Sequence, residues 1–195
     1  FSRKIIDLYA CGPGGGDFFS VFGFYTDRPL SYAEFEDLSE TLSAKVRRCD
    51  QFSLLKWVKE NPSLKIVTDF KERNLQGLSI LSDLFPRDSI IPQVYSLEDY
   101  GLVKDLGFDK VIWTLYRSNL TDDEVVRKIK ENRAISVVAM PVRRADGRLP
   151  LRLSDYGVST YIHTVNSVSD YYYYRLKGVS EIYSDLLYPD ELNDE

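Results

Sequence analysis

The sequence predicts an α/β protein whose parallel strands make most of a (β/α)8 barrel, short of its first βα unit. Three observations predict it. From Leu64 onward, short apolar β-branched runs alternate strictly with helical runs over short links, the pattern of right-handed βαβ units. Polar residues recur where these strands end: Asp7, Asp69 and Lys71, Gln93 and Tyr95, Tyr116 and Arg117, Arg143, His163 and Asn166, and Asp185. A barrel gathers its ligand site from many strand ends, whereas an open doubly wound sheet concentrates it at one switch point. Finally, 44% hydrophobic and 28% charged residues in a chain of 195 suit one sizeable globular domain with a real core, expected over residues 1–188 with an acidic tail at 189–195.

In chain order, Ile5 to Tyr9 reads as a first strand carrying Asp7. The glycine-rich turn 11–17 and a second extended stretch, Phe18 to Phe24, make residues 5–24 a β-hairpin excursion. The glycine cluster lacks the Lys-Ser/Thr ending and the following helix of a phosphate loop, so it reads as a turn. Ser31 and Glu34 have capping-box spacing and open a helix to about Leu42. A helix from about Asp50 to Glu60, with Phe52, Leu55 and Val58 on one face, is stopped by Asn61-Pro62.

Strands are then expected at 64–70, 89–95, 110–116, 134–142, 160–165 and 180–184, which with 5–9 make seven. The helices between them lie near 74–85, from Ser96 to Gly107, from Thr121 to Arg133, weakly before Gly157, and at 168–177. The run Tyr171–Tyr174 spreads around its helix and so packs and covers rather than forming a single stacking platform. Trp57 and Trp113 sit in apolar patterns that predict core. Arg143, Arg144, Arg148 and Arg152 form a local basic patch, read either as an anion site or as a solvated loop.

Several classes are excluded. A net charge of −5 does not suit a nucleic-acid surface, and no apolar run approaches the ~18 residues of a membrane span. The run after Phe1 is too short and too charged for a signal peptide, although a precursor with one is compatible with the chain. Cys11 and Cys49 are too few for a disulfide framework or zinc cluster, so the compartment, secreted or cytoplasmic, stays open.

Leu64–Lys71 is the stretch most suggestive of chemistry. Ile66 and Val67 predict a buried strand, with Asp69 and Lys71 on one face and Phe70 on the other. A carboxylate and an ammonium at a strand end suit either a site or a surface ion pair.

Several segments together resemble the glycerophosphodiester phosphodiesterase family, in its order and spacing, over roughly residues 50–188. They are Asn61-Pro-Ser-Leu-Lys-Ile-Val-Thr-Asp-Phe-Lys71, Ile91-Pro-Gln-Val-Tyr-Ser96, Val111-Ile-Trp-Thr-Leu-Tyr116, His163-Thr-Val-Asn166 and Gly178-Val-Ser-Glu-Ile-Tyr-Ser-Asp185. The resemblance implies cleavage of a phosphodiester in a barrel mouth. A divalent cation (calcium or magnesium) on carboxylates would offset the substrate's charge, and two histidines would move protons.

It also implies specific residues. Asp7 and Asp69 take the metal positions. Lys71 takes the phosphate-binding position; Gln93, Tyr95 and Arg143 stand as further candidate binding residues from their place at the strand ends. His163 stands where the family carries an aromatic residue, and is either a displaced general acid or a rim residue. Ile5 stands where the family has a metal-binding glutamate, and Phe22-Gly23 where it has His-Asp. The family's opening His-Arg strand and helix have no counterpart here, in keeping with a length short of the ~250 residues typical of such barrels.

Three readings therefore stand. The first is a degraded site that binds a phosphorylated small molecule or serves as an accessory domain. The second is a working, metal-dependent hydrolase of glycerophosphodiesters acting in lipid metabolism. The third is a structural or assembly domain, in which another chain or segment covers an open barrel edge.

Overall fold

The computed structural model describes residues 51–70, 73–188 and 192. The strand at 5–9, the hairpin at 5–24, the helix at 31–42, Asp7, Lys71, both cysteines and the tail apart from Leu192 lie outside them. The chain divides into two compact units, Phe1–Asn61 and Pro62–Glu195.

In the first unit the described element is helix α1 (Gln51–Glu60), closed by Asn61, whose backbone N–H and side-chain amide both donate to the Trp57 carbonyl. The expected apolar face is only partly buried: Val58 is 5% exposed but Phe52 66%. Trp57 is 40% exposed and is not core, because it lies about 100° around the helix from Val58.

The second unit is α/β with parallel sheets throughout. Strand β1 (Ile66–Val67) pairs with β2 (Ile90–Ile91). A five-stranded sheet follows in the order β3 (Gln93–Val94), β4 (Ile112–Thr114), β5 (Val137–Pro141), β6 (Ser159–His163), β7 (Glu181–Ile182). Pro92 separates β2 from β3 because it has no N–H to give a ladder, yet its carbonyl still accepts from the Ile112 N–H at 2.8 Å. Spatial order thus follows sequence order without reversal, as successive right-handed crossovers in one direction require.

The helices are α2 (Asn74–Leu84), α3 (Leu97–Asp105), α4 (Asp122–Glu131), the short α5 (Val142–Ala145) and α6 (Leu149–Ser154), and α7 (Val168–Leu176). Their starts follow local chemistry. The hydroxyls of Ser96, Thr121 and Ser167 accept from the N–H groups of Asp99, Glu124 and Asp170. Helix α4 buries Val125, Val126 and Ile129, roughly 1.5–3 kcal/mol each. The core between sheet and helices includes Val94, Trp113, Leu115, Val138, Met140 and Ile162.

Strand β1 departs from the expected buried strand. Ile66 is half-buried and Val67 36% exposed, because among the described residues β1 is paired on one side only. Phe70 does point away from Asp69: its ring lies over α2, where a Cβ on Gly77 would meet it at 3.0 Å.

Candidate functional site

The functional candidates collect where the parallel strands end. Asp69 lies two residues past β1, Tyr95 just past β3, Tyr116 two past β4, Arg143 two past β5, His163 at the end of β6 and Tyr183 just past β7. The register of β1 on β2 carries the Thr68 N–H to the Ile91 carbonyl, which sets Asp69 beside β3. Gln93 then donates from Nε2 to Asp69 Oδ1 at 3.1 Å, and the Tyr95 hydroxyl donates to the same oxygen. From the far side of the sheet the Tyr183 hydroxyl donates to Gln93 Oε1 at 3.2 Å.

These bonds form one chain, Tyr183 to Gln93 to Asp69, with Tyr95 joining at the carboxylate. Gln93 is 8% exposed and its amide is fixed by a donor at one end and an acceptor at the other. Burial raises the Tyr95 phenol above its ordinary pKa, and the bond to Asp69 raises it further, since a phenol donating to a carboxylate resists ionisation. Tyr183 is raised too, by burial first and then by Tyr161 and the Asp69 charge. The Arg117 guanidinium stacks 5.6 Å from the Tyr95 ring centroid.

A second cluster stands beside the first. An open cleft of about 740 Å³ has Tyr116, Pro141, Val142, Arg143, His163 and Thr164 in its lining. The Tyr116 and His163 rings are 5.5 Å apart and tilted by 57°, and His163 meets Tyr183 at 6.3 Å. Tyr161, on the same face of β6 as His163, packs edge-on to Tyr183 at 6.0 Å. His163 ends its strand, and Val165 beyond it is buried in the core.

The chain is similar to the crystal structure of a glycerophosphodiester phosphodiesterase from Parabacteroides distasonis, with a TM-score of 0.59 at 15% sequence identity, covering 84% of this chain and 69% of that one. The fold is glycerophosphodiester phosphodiesterase-like. No family model matches the sequence. No curated protein matches it either.

Of the expected site residues, Asp69, Gln93 and Tyr95 come together, and Arg143 and His163 share the adjoining cleft. Asp7 and Lys71 lie outside the described residues. The described residues alone do not fit a divalent cation. They hold no group of three or more His, Cys, Asp or Glu able to bind one, and Oδ1 of Asp69 already accepts two hydrogen bonds.

The basic patch comes apart on inspection. Arg144 is pinned to Asp122 at 3.3 Å and to the carbonyls of Ser118 and Leu120, and Arg152 to Asp123 at 2.6 Å. Arg143 alone of these three lines the cleft, and it makes no ion pair or hydrogen bond with any described residue. Asn166 serves the backbone, its Oδ1 accepting from Ser184 Oγ and the Asp185 N–H.

Tyr183 and Tyr161 were not singled out by sequence reasoning. The signal for Tyr161 is the two-residue period shared with His163 on β6; the signal for Tyr183 is a tyrosine immediately past the last strand.

Proposed function

We propose that this chain is a glycerophosphodiester phosphodiesterase-like domain that binds a phosphorylated ligand at the strand carboxyl ends without hydrolysing it. In this reading the parallel sheet is an arc of a (β/α)8 barrel, a view supported by the unreversed strand order and by the solved neighbour.

The observation that carries the reading is how differently the two charged residues are engaged. Asp69, the described acid, is engaged by Gln93 and Tyr95, whereas Arg143 faces an open cleft beside Tyr116 and His163. A guanidinium with no carboxylate partner among the described residues is suited to a phosphate, which it can grip through two parallel N–H donors.

The test is calorimetric titration with glycerol 3-phosphate, a sugar phosphate and glycerophosphocholine, beside an assay for choline release with millimolar magnesium or calcium. Binding of at least one phosphate compound, weakened about tenfold or more by Arg143→Ala, with no release of choline, is the expected result. Cation-dependent release abolished by Asp69→Ala would overturn it. That outcome would establish the hydrolase reading instead, with Asp7 and Asp69 on the cation, Lys71 on the phosphate and His163 moving the proton.

A further inference from the structure

The cleft has a chemical character more specific than a phosphate grip. Among the described residues its cation is at one position, Arg143 just past the end of β5, while the wall at the ends of β4 and β6 is aromatic. Tyr116 is 53% exposed, and the neighbouring Thr164 is also exposed. The volume of about 740 Å³ lies within the roughly 300–1,000 Å³ typical of small-molecule sites.

A phosphate alone would use Arg143 and leave the wall uncovered. A three-carbon glycerol adds too little apolar surface to cover two rings. A flat base or other aromatic ring could stack on Tyr116 or on His163 but not on both, because the two rings are tilted by 57°. A puckered sugar ring fits better. Its C–H face can lie in the angle of the tilted rings while its hydroxyl edge turns toward the exposed Thr164.

We propose that the cleft at the ends of β4, β5 and β6 takes a phosphorylated sugar, with its phosphate on the Arg143 guanidinium and its ring against the Tyr116–His163 wall. The assignment rests on the phosphate-binding reading and narrows it to a ring-bearing ligand. It places specificity in Tyr116 and affinity for the anion in Arg143. Both side chains are exposed, so their replacement leaves the core intact.

The test compares glucose 6-phosphate, glycerol 3-phosphate, inorganic phosphate and adenosine monophosphate on the wild-type chain and on Tyr116→Ala, Tyr116→Phe and Arg143→Ala, each checked for an unchanged amide NMR fingerprint away from the cleft. Glucose 6-phosphate should bind about tenfold more tightly than the other three. That preference should vanish in Tyr116→Ala and persist in Tyr116→Phe, which keeps the ring. Arg143→Ala should weaken all four compounds alike.

Equal binding of the four, a preference surviving Tyr116→Ala, or tighter binding of the nucleotide would overturn the sugar assignment while leaving phosphate binding in place. Failure of every phosphate compound to bind would remove both.

Discussion

At the scale of single residues, Gln93 is what couples Asp69 to the opposite side of the strand-end surface. A buried amide has two donors and one acceptor oxygen to satisfy, and the fixed direction of its bonds sets which group faces the carboxylate. Here the Tyr183 hydroxyl donates to Oε1, so Nε2 is the end turned to Asp69. Tyr183→Phe keeps the ring against Tyr161 and His163 but removes that donor. The expected cost is about 1–3 kcal/mol in a urea unfolding series, because one buried acceptor loses its partner. Arg143→Ala, by contrast, should change the unfolding free energy by less than about 0.5 kcal/mol, because an exposed guanidinium without a described partner contributes little to folding. A large loss of stability in Arg143→Ala would mean that the residue has a structural bond and is not poised for a ligand.

At the scale of elements, the starts of α3 and α4 were legible because a cap is a local device read over three residues. Thr121 and Glu124 form a complete capping box: the Thr121 hydroxyl accepts from the Glu124 N–H, and the Glu124 carboxylate accepts from the Thr121 N–H at 2.8 Å. Thr121→Ala should cost about 1 kcal/mol, read as a lower thermal midpoint. Those bonds hold Glu124 below its ordinary pKa, with the Thr121 backbone bond the leading cause. The sign follows: the carboxylate's stabilisation is present above the ordinary glutamate range and is lost as pH falls through the lowered folded value. The wild-type advantage over Thr121→Ala should therefore shrink in acid and persist at neutral pH.

Contacts that span the sequence were not legible in the same way. Arg144 reads as one member of a basic run, yet it is 13% exposed at its side chain and ties the Ser118–Asp122 segment to α5 through two carbonyls and a carboxylate. Its partners lie more than twenty residues upstream, and only the pairing of β4 with β5 brings them near. Arg144→Lys should destabilise by about 1.5–3 kcal/mol in the same urea assay, because an ammonium cannot reproduce the planar fork. The meeting of Asp69 with Gln93 was hidden for the same reason. Both were recognised as strand-end residues, but their contact is made by register, and the Pro92 break between β2 and β3 helps set that register. Trp57 shows the opposite failure: an apolar pattern predicts a face, and here the tryptophan falls beside it.

At the scale of the whole molecule, the abundance of tyrosine has a consequence for stability. The chain has 14 tyrosines, and five of those in the second unit (Tyr95, Tyr100, Tyr161, Tyr174 and Tyr183) are raised above their ordinary pKa, each with burial as the leading cause. Tyr174 is pushed up to about 12, first by burial and then by its 3.1 Å bond to the Asp146 carboxylate. A raised phenol stays protonated in the folded chain after its unfolded counterpart has ionised. Below the ordinary value of 10.0 neither state is charged, and the full stability is present. As pH climbs from there toward the folded value, the unfolded state is favoured and stability falls. Urea midpoints taken between about pH 9 and pH 11 should therefore decline, and tyrosinate absorbance should rise in two stages, exposed rings first and the raised group with unfolding. Lysine deprotonation overlaps the upper part of this range, so Tyr174→Phe separates the contributions. Without that phenol the chain should be less stable at neutral pH, having lost the bond to Asp146, yet lose less of its stability on going alkaline. If the wild type and Tyr174→Phe decline in parallel, the buried phenols are not what limits the fold at high pH.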